Sequence, residues 1–134
     1  MLSVSNLTTS YGLIKALNAV SIVAKEGQVT CILGPNGAGK TTLMFTLAGI
    51  LKPTSGSVKF DGIEIAGLGA PKVLQSGLSL VPENRLVFPL MSVRDNLMAG
   101  AYLRPKSKLN EVESDLEKLY ERFPVLKQRE EQNA

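Results

Sequence analysis

The chain has 134 residues, 44% of them hydrophobic and 20% charged, with a formal net charge of +3. That suits one globular domain with room for a core, and no run nears the ~18 apolar residues that a membrane span needs. The basic residues are scattered, which gives no nucleic-acid footprint, and the absence of histidine excludes a histidine base, switch or metal ligand within these residues.

The opening Met1-Leu2-Ser3-Val4 has no basic stretch ahead of an apolar one, which argues against a secretion signal. Leu2 to Thr8 alternates in part with period two and predicts a strand, and Ala16 to Val23 predicts a second. Glu26-Gly27-Gln28 turns into the apolar run Val29 to Leu33, which predicts a third strand. The lone cysteine, Cys31, lies inside that run and reads as a small buried core residue in a reducing cytosolic setting. A helix is expected from about Gly39 to Ala48, stopped near Gly49 and at the latest by Pro53. Val58 to Phe60 and Ile63 to Ile65 flank Asp61-Gly62, a strong hairpin signal.

Pro71 starts a short helix to about Ser76, and Leu78 to Val81 is a compact apolar strand of the kind buried in a parallel sheet. Pro82 to Pro89 reads as a loop. Ser92 is a candidate N-cap, with Asp95 at the third position, for a helix from Val93 to about Tyr102. In the last helix Asn110 and Glu113 have capping-box spacing, and Val112, Leu116, Leu119, Tyr120 and Phe123 form one apolar stripe. The tail Lys127 to Ala134 is polar and is expected to fray.

The most informative stretch is Gly34-Pro35-Asn36-Gly37-Ala38-Gly39-Lys40-Thr41-Thr42, a complete G-x-x-x-x-G-K-T phosphate-binding loop between a predicted strand and a predicted helix. Its glycines let backbone N–H groups converge on phosphates, and the helix that follows adds its positive end. Lys40 supplies a mobile charge for β- and γ-phosphates, and Thr41 a hydroxyl for Mg²⁺. These residues predict a nucleoside-triphosphate site. The guanine-reading N-K-x-D element of a GTPase does not occur.

The chain resembles the ATP-binding subunits of ABC transporters over essentially its whole length. The loop in its G-P-N-G-A-G-K-T-T form and the run Gly49-Ile50-Leu51-Lys52-Pro53-Thr54-Ser55-Gly56 carry the resemblance. The run Val81-Pro82-Glu83-Asn84-Arg85-Leu86-Val87-Phe88-Pro89, followed by Ser92-Val93, Asn96-Leu97 and Gly100-Ala101-Tyr102, looks like the branched-chain amino-acid importer ATPases of bacteria. The resemblance implies an α/β P-loop NTPase core with an N-terminal antiparallel β subdomain and part of a helical subdomain. The core would reach about residue 90, the start of the helical subdomain would cover about 91–126, and the tail would be 127–134. It implies ATP and Mg²⁺ as cofactors, with Tyr11 stacking on adenine, Gly34 to Thr42 wrapping the phosphates, and Thr41 with Glu83 near the metal. It also implies membrane permease subunits and a second ATP-binding subunit as partners, no nucleic acid, and a place at the cytoplasmic face of the cell membrane.

Two departures stand out. Glu83 occupies a position where the family usually has glutamine; its oxygens can still ligate Mg²⁺. The L-S-G-G-Q signature, an apolar strand ending in Asp-Glu, and the switch histidine are absent. The chain therefore looks like the N-terminal half of such an ATPase, with no catalytic residue of its own. A nucleotide-binding module without turnover, or an ABC ATPase for another substrate, are the other readings. The resemblance further implies that Val29 to Leu33 lies beside strands from the missing half, and that Glu83 to Met91 and the start of the next helix line the groove that receives the permease. Leu86, Val87, Phe88, Leu90 and Met91 gather more apolar surface there than a solvated loop needs.

Overall fold

The computed structural model describes residues 1–84 and 86–134 and comprises two compact units, Met1–Leu80 and Val81–Ala134. Arg85, inside the loop singled out above, lies outside the described residues. In the second unit the loop after Leu80 is hydrogen-bonded to the helix that follows it, through Phe88 and Asn96.

The first unit holds β1 (Leu2–Tyr11), β2 (Ile14–Ala24), α1 (Lys40–Leu47), β3 (Ser55–Phe60), β4 (Ile63–Glu64) and α2 (Ala70–Gln75). The strands form one antiparallel sheet in the order β2-β1-β3-β4, with Leu2 opposite Ala24 on one side and Phe60 on the other. β1 and β2 are bulged against each other. Asn6 and Ala19, at φ of 49° and 50°, lie where the register shifts. Hydroxyls take up the backbone donors that the bulges release: Asn6 N–H donates to Ser21 Oγ at 2.9 Å and Ala19 N–H to Thr8 Oγ1 at 3.1 Å. Asp61 and Gly62 both have positive φ, as the hairpin turn between β3 and β4 requires.

The core of this unit is Val4, Leu7 and Leu17 from β1 and β2, Leu43 and Leu47 from α1, and Val58, Ile65 and Val73. α1 ends in a Schellman motif. Ile50 N–H reaches Phe45 O at 2.9 Å and Gly49 N–H reaches Thr46 O at 3.2 Å, which satisfies carbonyls that the helix end would otherwise leave open.

Two sequence expectations fail here. Val29 to Leu33 and Leu78 to Val81 form no strand among the described residues. Ile32 and Leu78 do pack against the core, yet Val29 and Leu33 are 93% and 90% exposed. An apolar run becomes a strand only by pairing, and no described strand lies alongside either segment. Cys31 is exposed for the same reason, not buried as expected.

The second unit holds α3 (Val93–Ala99), a 3₁₀ turn (Lys106–Lys108), α4 (Leu109–Arg122) and α5 (Pro124–Gln128). Ser92 caps α3 as expected, its Oγ accepting from Asp95 N–H at 3.0 Å. α3 stops at Ala99, and the chain to Tyr102 continues in tighter i to i+3 bonds. Val112, Leu116 and Tyr120 are buried, while Leu119 and Phe123 of the same stripe are 40% and 46% exposed. The capping box does not form: the 3₁₀ turn runs straight into α4, so Asn110 is already inside the helix. Glu113 instead receives Arg94 at 2.7 and 2.9 Å. That contact holds the Arg94 guanidinium more firmly protonated than usual. The tail is not frayed. Val93 N–H donates to Gln132 O at 2.8 Å, Arg94 N–H to Glu130 O at 2.9 Å and Ala134 N–H to Met91 O at 3.2 Å. Carbonyls of the tail thereby satisfy the first-turn donors of α3 that no helix can satisfy internally.

Candidate functional site

Residues 34–42 lead from the Val29 to Leu33 segment into α1, and the site is built on that junction. Gly39 is the N-cap of α1 at φ 87°, ψ 8°, a left-handed conformation that costs a non-glycine residue about 1 kcal/mol or more. A Cβ there would also lie 2.7 Å from Ala16 O and 3.0 Å from Leu17 Cδ2. The loop therefore rests directly on β2, and only glycine fits. Gly37, also at positive φ, faces open space: nothing lies within 4 Å of where its Cβ would be. A large group can come up to the backbone at that point.

Glycine as N-cap offers no side-chain acceptor, and the first turn of α1 carries no acidic residue. Its N–H groups and the positive end of the helix are thus left uncompensated by side chains, which favours an anion. Lys40, half-buried, turns its ammonium back across the loop and donates to Gly34 O and Pro35 O, each at 2.8 Å. This places a positive charge over the loop. Asn36, Ala38 and Thr41 are exposed, with Ala38 N–H closing the turn onto Pro35 O at 3.2 Å. Thr42 is buried, and its carbonyl accepts Thr46 Oγ1 at 2.7 Å.

Tyr11 lies at the end of β1, opposite Ile14 and 49% exposed. Because Gly39 abuts Ala16, the next residue but one along β2 from Ile14, Tyr11 and the loop share one end of the β1–β2 hairpin. Glu83 is exposed and belongs to the second unit.

Sequence reasoning missed two features. One is the buried polar contact between β1 and α1, where Thr9 Oγ1 lies 3.1 Å from Thr46 Oγ1; a threonine at an otherwise apolar position of each element was the available signal. The other is Asn96, whose carboxamide engages both the N–H and the carbonyl of Phe88.

Residues 17–133 match the ABC transporter family. The chain is 39% identical to the high-affinity branched-chain amino acid transport ATP-binding protein BraG of Pseudomonas aeruginosa, over all of this chain and 56% of that protein. It is 38% identical to BraF of the same organism, over 76% of this chain and 40% of that one. A crystal structure of an ABC-transporter ATP-binding cassette in its ADP conformation superposes with a TM-score of 0.77 at 30% identity, over 100% of this chain and 57% of that one. The chain thus spans little more than half the length of BraG and of that cassette, and less of BraF. Other matched relatives are named for ribose import, sulfate/thiosulfate import and lipopolysaccharide export. With the loop, the helix it opens and the antiparallel sheet beneath it all in place, the chain belongs to the ABC transporter family and has the α/β fold of its ATP-binding subunits.

Proposed function

We propose that Gly34 to Thr42 binds the phosphates of ATP, and that the protein to which this sequence belongs couples ATP hydrolysis to branched-chain amino-acid uptake. The observation that carries the first part is the junction itself: a left-handed Gly39 pressed on Ala16 and a Lys40 ammonium held across the loop. The backbone N–H groups at the start of α1 would orient the phosphate oxygens, and Lys40 would exchange its carbonyl partners for the β- and γ-phosphates. Tyr11, exposed at the same end of the hairpin, would stack on the adenine.

The residues present fit Mg²⁺: Thr41, an exposed residue of the first turn of α1, carries a hydroxyl, and a hard cation takes oxygen ligands. Glu83 is proposed as a further oxygen ligand on the family resemblance. Mg²⁺, when bound, would neutralise phosphate charge. Support for the amino-acid substrate comes from the relatives named for branched-chain amino acids, one of which matches over this whole chain. The proposed partners are a second ATP-binding subunit and membrane permease subunits, with the protein held at the cytoplasmic face of the membrane through the latter. Among the described residues no helix is long and apolar enough to cross a membrane.

The permease would meet the loop before α3. Phe88 and Leu90 are 57% and 90% exposed, so neither plugs the core of the second unit. In the longer protein, Phe88→Asp should impair assembly with the permease and leave nucleotide binding near that of wild type. Normal assembly and uptake by that variant would remove the contact from the account. Uptake of labelled leucine, ribose and sulfate by membranes carrying the assembled transporter tests the substrate: leucine should be accumulated on ATP addition, and ribose or sulfate accumulation in its place would overturn the assignment.

A further inference from the structure

The segment between Phe88 and Ser92 has little covering it, yet it is tied down at many points. Phe88 to Met91 is a turn with Pro89 at its second position, closed by Met91 N–H donating to Phe88 O at 3.1 Å. One side chain, Asn96 of α3, then clasps the turn from inside. Its Oδ1 accepts Phe88 N–H at 2.8 Å, while the two Nδ2 protons are shared among Phe88 O at 3.0 Å, Ser92 O at 3.0 Å and Met91 O at 3.3 Å. The orientation of the carboxamide follows from the network, because a backbone N–H can meet only an oxygen. Phe88 thus has both its N–H and its carbonyl held by one residue, as a strand partner would hold them.

The apolar side chains of this segment stay outward. Leu86, Val87 and Phe88 are 68%, 50% and 57% exposed, and they border a groove of about 500 Å³ whose other wall includes Val93, Leu97 and Leu126. Hydrophobic collapse onto α3 would close that groove, so something must oppose it. The helix that carries Asn96 is itself fixed: tail carbonyls hold its first-turn donors and Arg94 is paired with Glu113.

We propose that Asn96 is a positioning residue, whose carboxamide holds Phe88 to Ser92 as a preformed turn and keeps Leu86, Val87 and Phe88 standing off α3. Its use as a contact element rests on the permease-docking reading above; the clasp itself does not. A donor and an acceptor are both required, since the turn offers one N–H and three carbonyls to the same side chain. Leucine at this position would fill the space and hold nothing. Aspartate would accept Phe88 N–H but set a negative charge against carbonyl oxygens until it is protonated.

Amide hydrogen exchange on the full chain, read residue by residue, tests this. Asn96→Ala should lower the protection factor of Phe88 N–H by about fivefold or more, the worth of one net hydrogen bond. The amides of Leu116 and Tyr120 in α4 should keep their protection. Asn96→Asp should show Phe88 protection that rises as the pH falls through the aspartate pKa, a dependence absent from wild type and from Asn96→Ala. Unchanged Phe88 protection in Asn96→Ala overturns the proposal, and so does an equal loss across α4, which would make Asn96 a general stabiliser. Failure of Phe88→Asp to affect assembly, with the exchange result as expected, would remove the docking reading and leave the clasp.

Discussion

Thr9 on β1 and Thr46 on α1 face each other across the core of the first unit, their hydroxyl oxygens 3.1 Å apart and both residues buried. The Thr46 proton is committed to Thr42 O at 2.7 Å, so Thr9 is the donor between the two hydroxyls. This chain of bonds fixes the helix that opens the loop to the centre of the sheet. Thr46→Val keeps the shape but leaves the Thr9 hydroxyl buried and unpaired, at a cost of about 1–3 kcal/mol. Urea unfolding should show that loss. The double change Thr9→Val with Thr46→Val should cost less than the two single changes added together. Strict additivity would mean that the contact carries no energy.

Two glycines of the loop separate conformation from contact. Gly37 and Gly39 have φ of 83° and 87°, yet only at Gly39 would a Cβ meet backbone, at 2.7 Å from Ala16 O. Gly37→Ala should cost only the conformational preference, about 1 kcal/mol, whereas Gly39→Ala adds the displacement of the loop from β2 and should cost more. Thermal denaturation of the two variants checks the order, and equal costs would deny that the loop rests on β2.

Much of this arrangement was legible in sequence, and the reasons are local. The loop is a fixed local pattern between an apolar run and a helix, and Asp61-Gly62 and Ser92 announce their turn and cap by chemistry that acts within four residues. What failed was non-local. Val29 to Leu33 reads as a buried strand, but strand formation depends on a neighbour that a local pattern does not contain. The tail reads as polar and loose because the carbonyls that α3 needs are invisible in a string of side chains. Asn110 had the spacing of a capping box, but the turn before it advanced the helix start to Leu109.

Glu64 makes the first unit sensitive to acid. Its carboxylate accepts from Ser57 Oγ, from Val58 N–H at 2.8 Å and from Ala66 N–H at 3.1 Å. These bonds, the Ser57 hydroxyl first, hold its pKa below the ordinary 4.5, against some desolvation. Folding favours the ionised form, so the contribution is complete above 4.5 and is lost as the pH falls through the lower folded-state value. Exposure keeps it small. Urea midpoints followed from neutral pH downward should fall more steeply below 4.5 in wild type than in Glu64→Gln, and parallel curves would exclude this residue as the source.

The exposed side chains of Val29 and Leu33, on a segment with no described strand beside it, are an invitation to association. The purified chain should form larger species as its concentration rises. Val29→Lys with Leu33→Glu should suppress them, as light scattering would show. A monomer at all concentrations would mean that this face is not sticky.

The Gly34–Thr42 loop is proposed to bind a nucleotide through Lys40. Calorimetric titration of ATP with Mg²⁺ into the wild-type chain and into Lys40→Ala tests it most directly. Removing the ammonium should weaken binding by more than about 1.4 kcal/mol, a factor of ten, with the folded state intact by circular dichroism. Equal affinity in the two proteins would contradict the assignment.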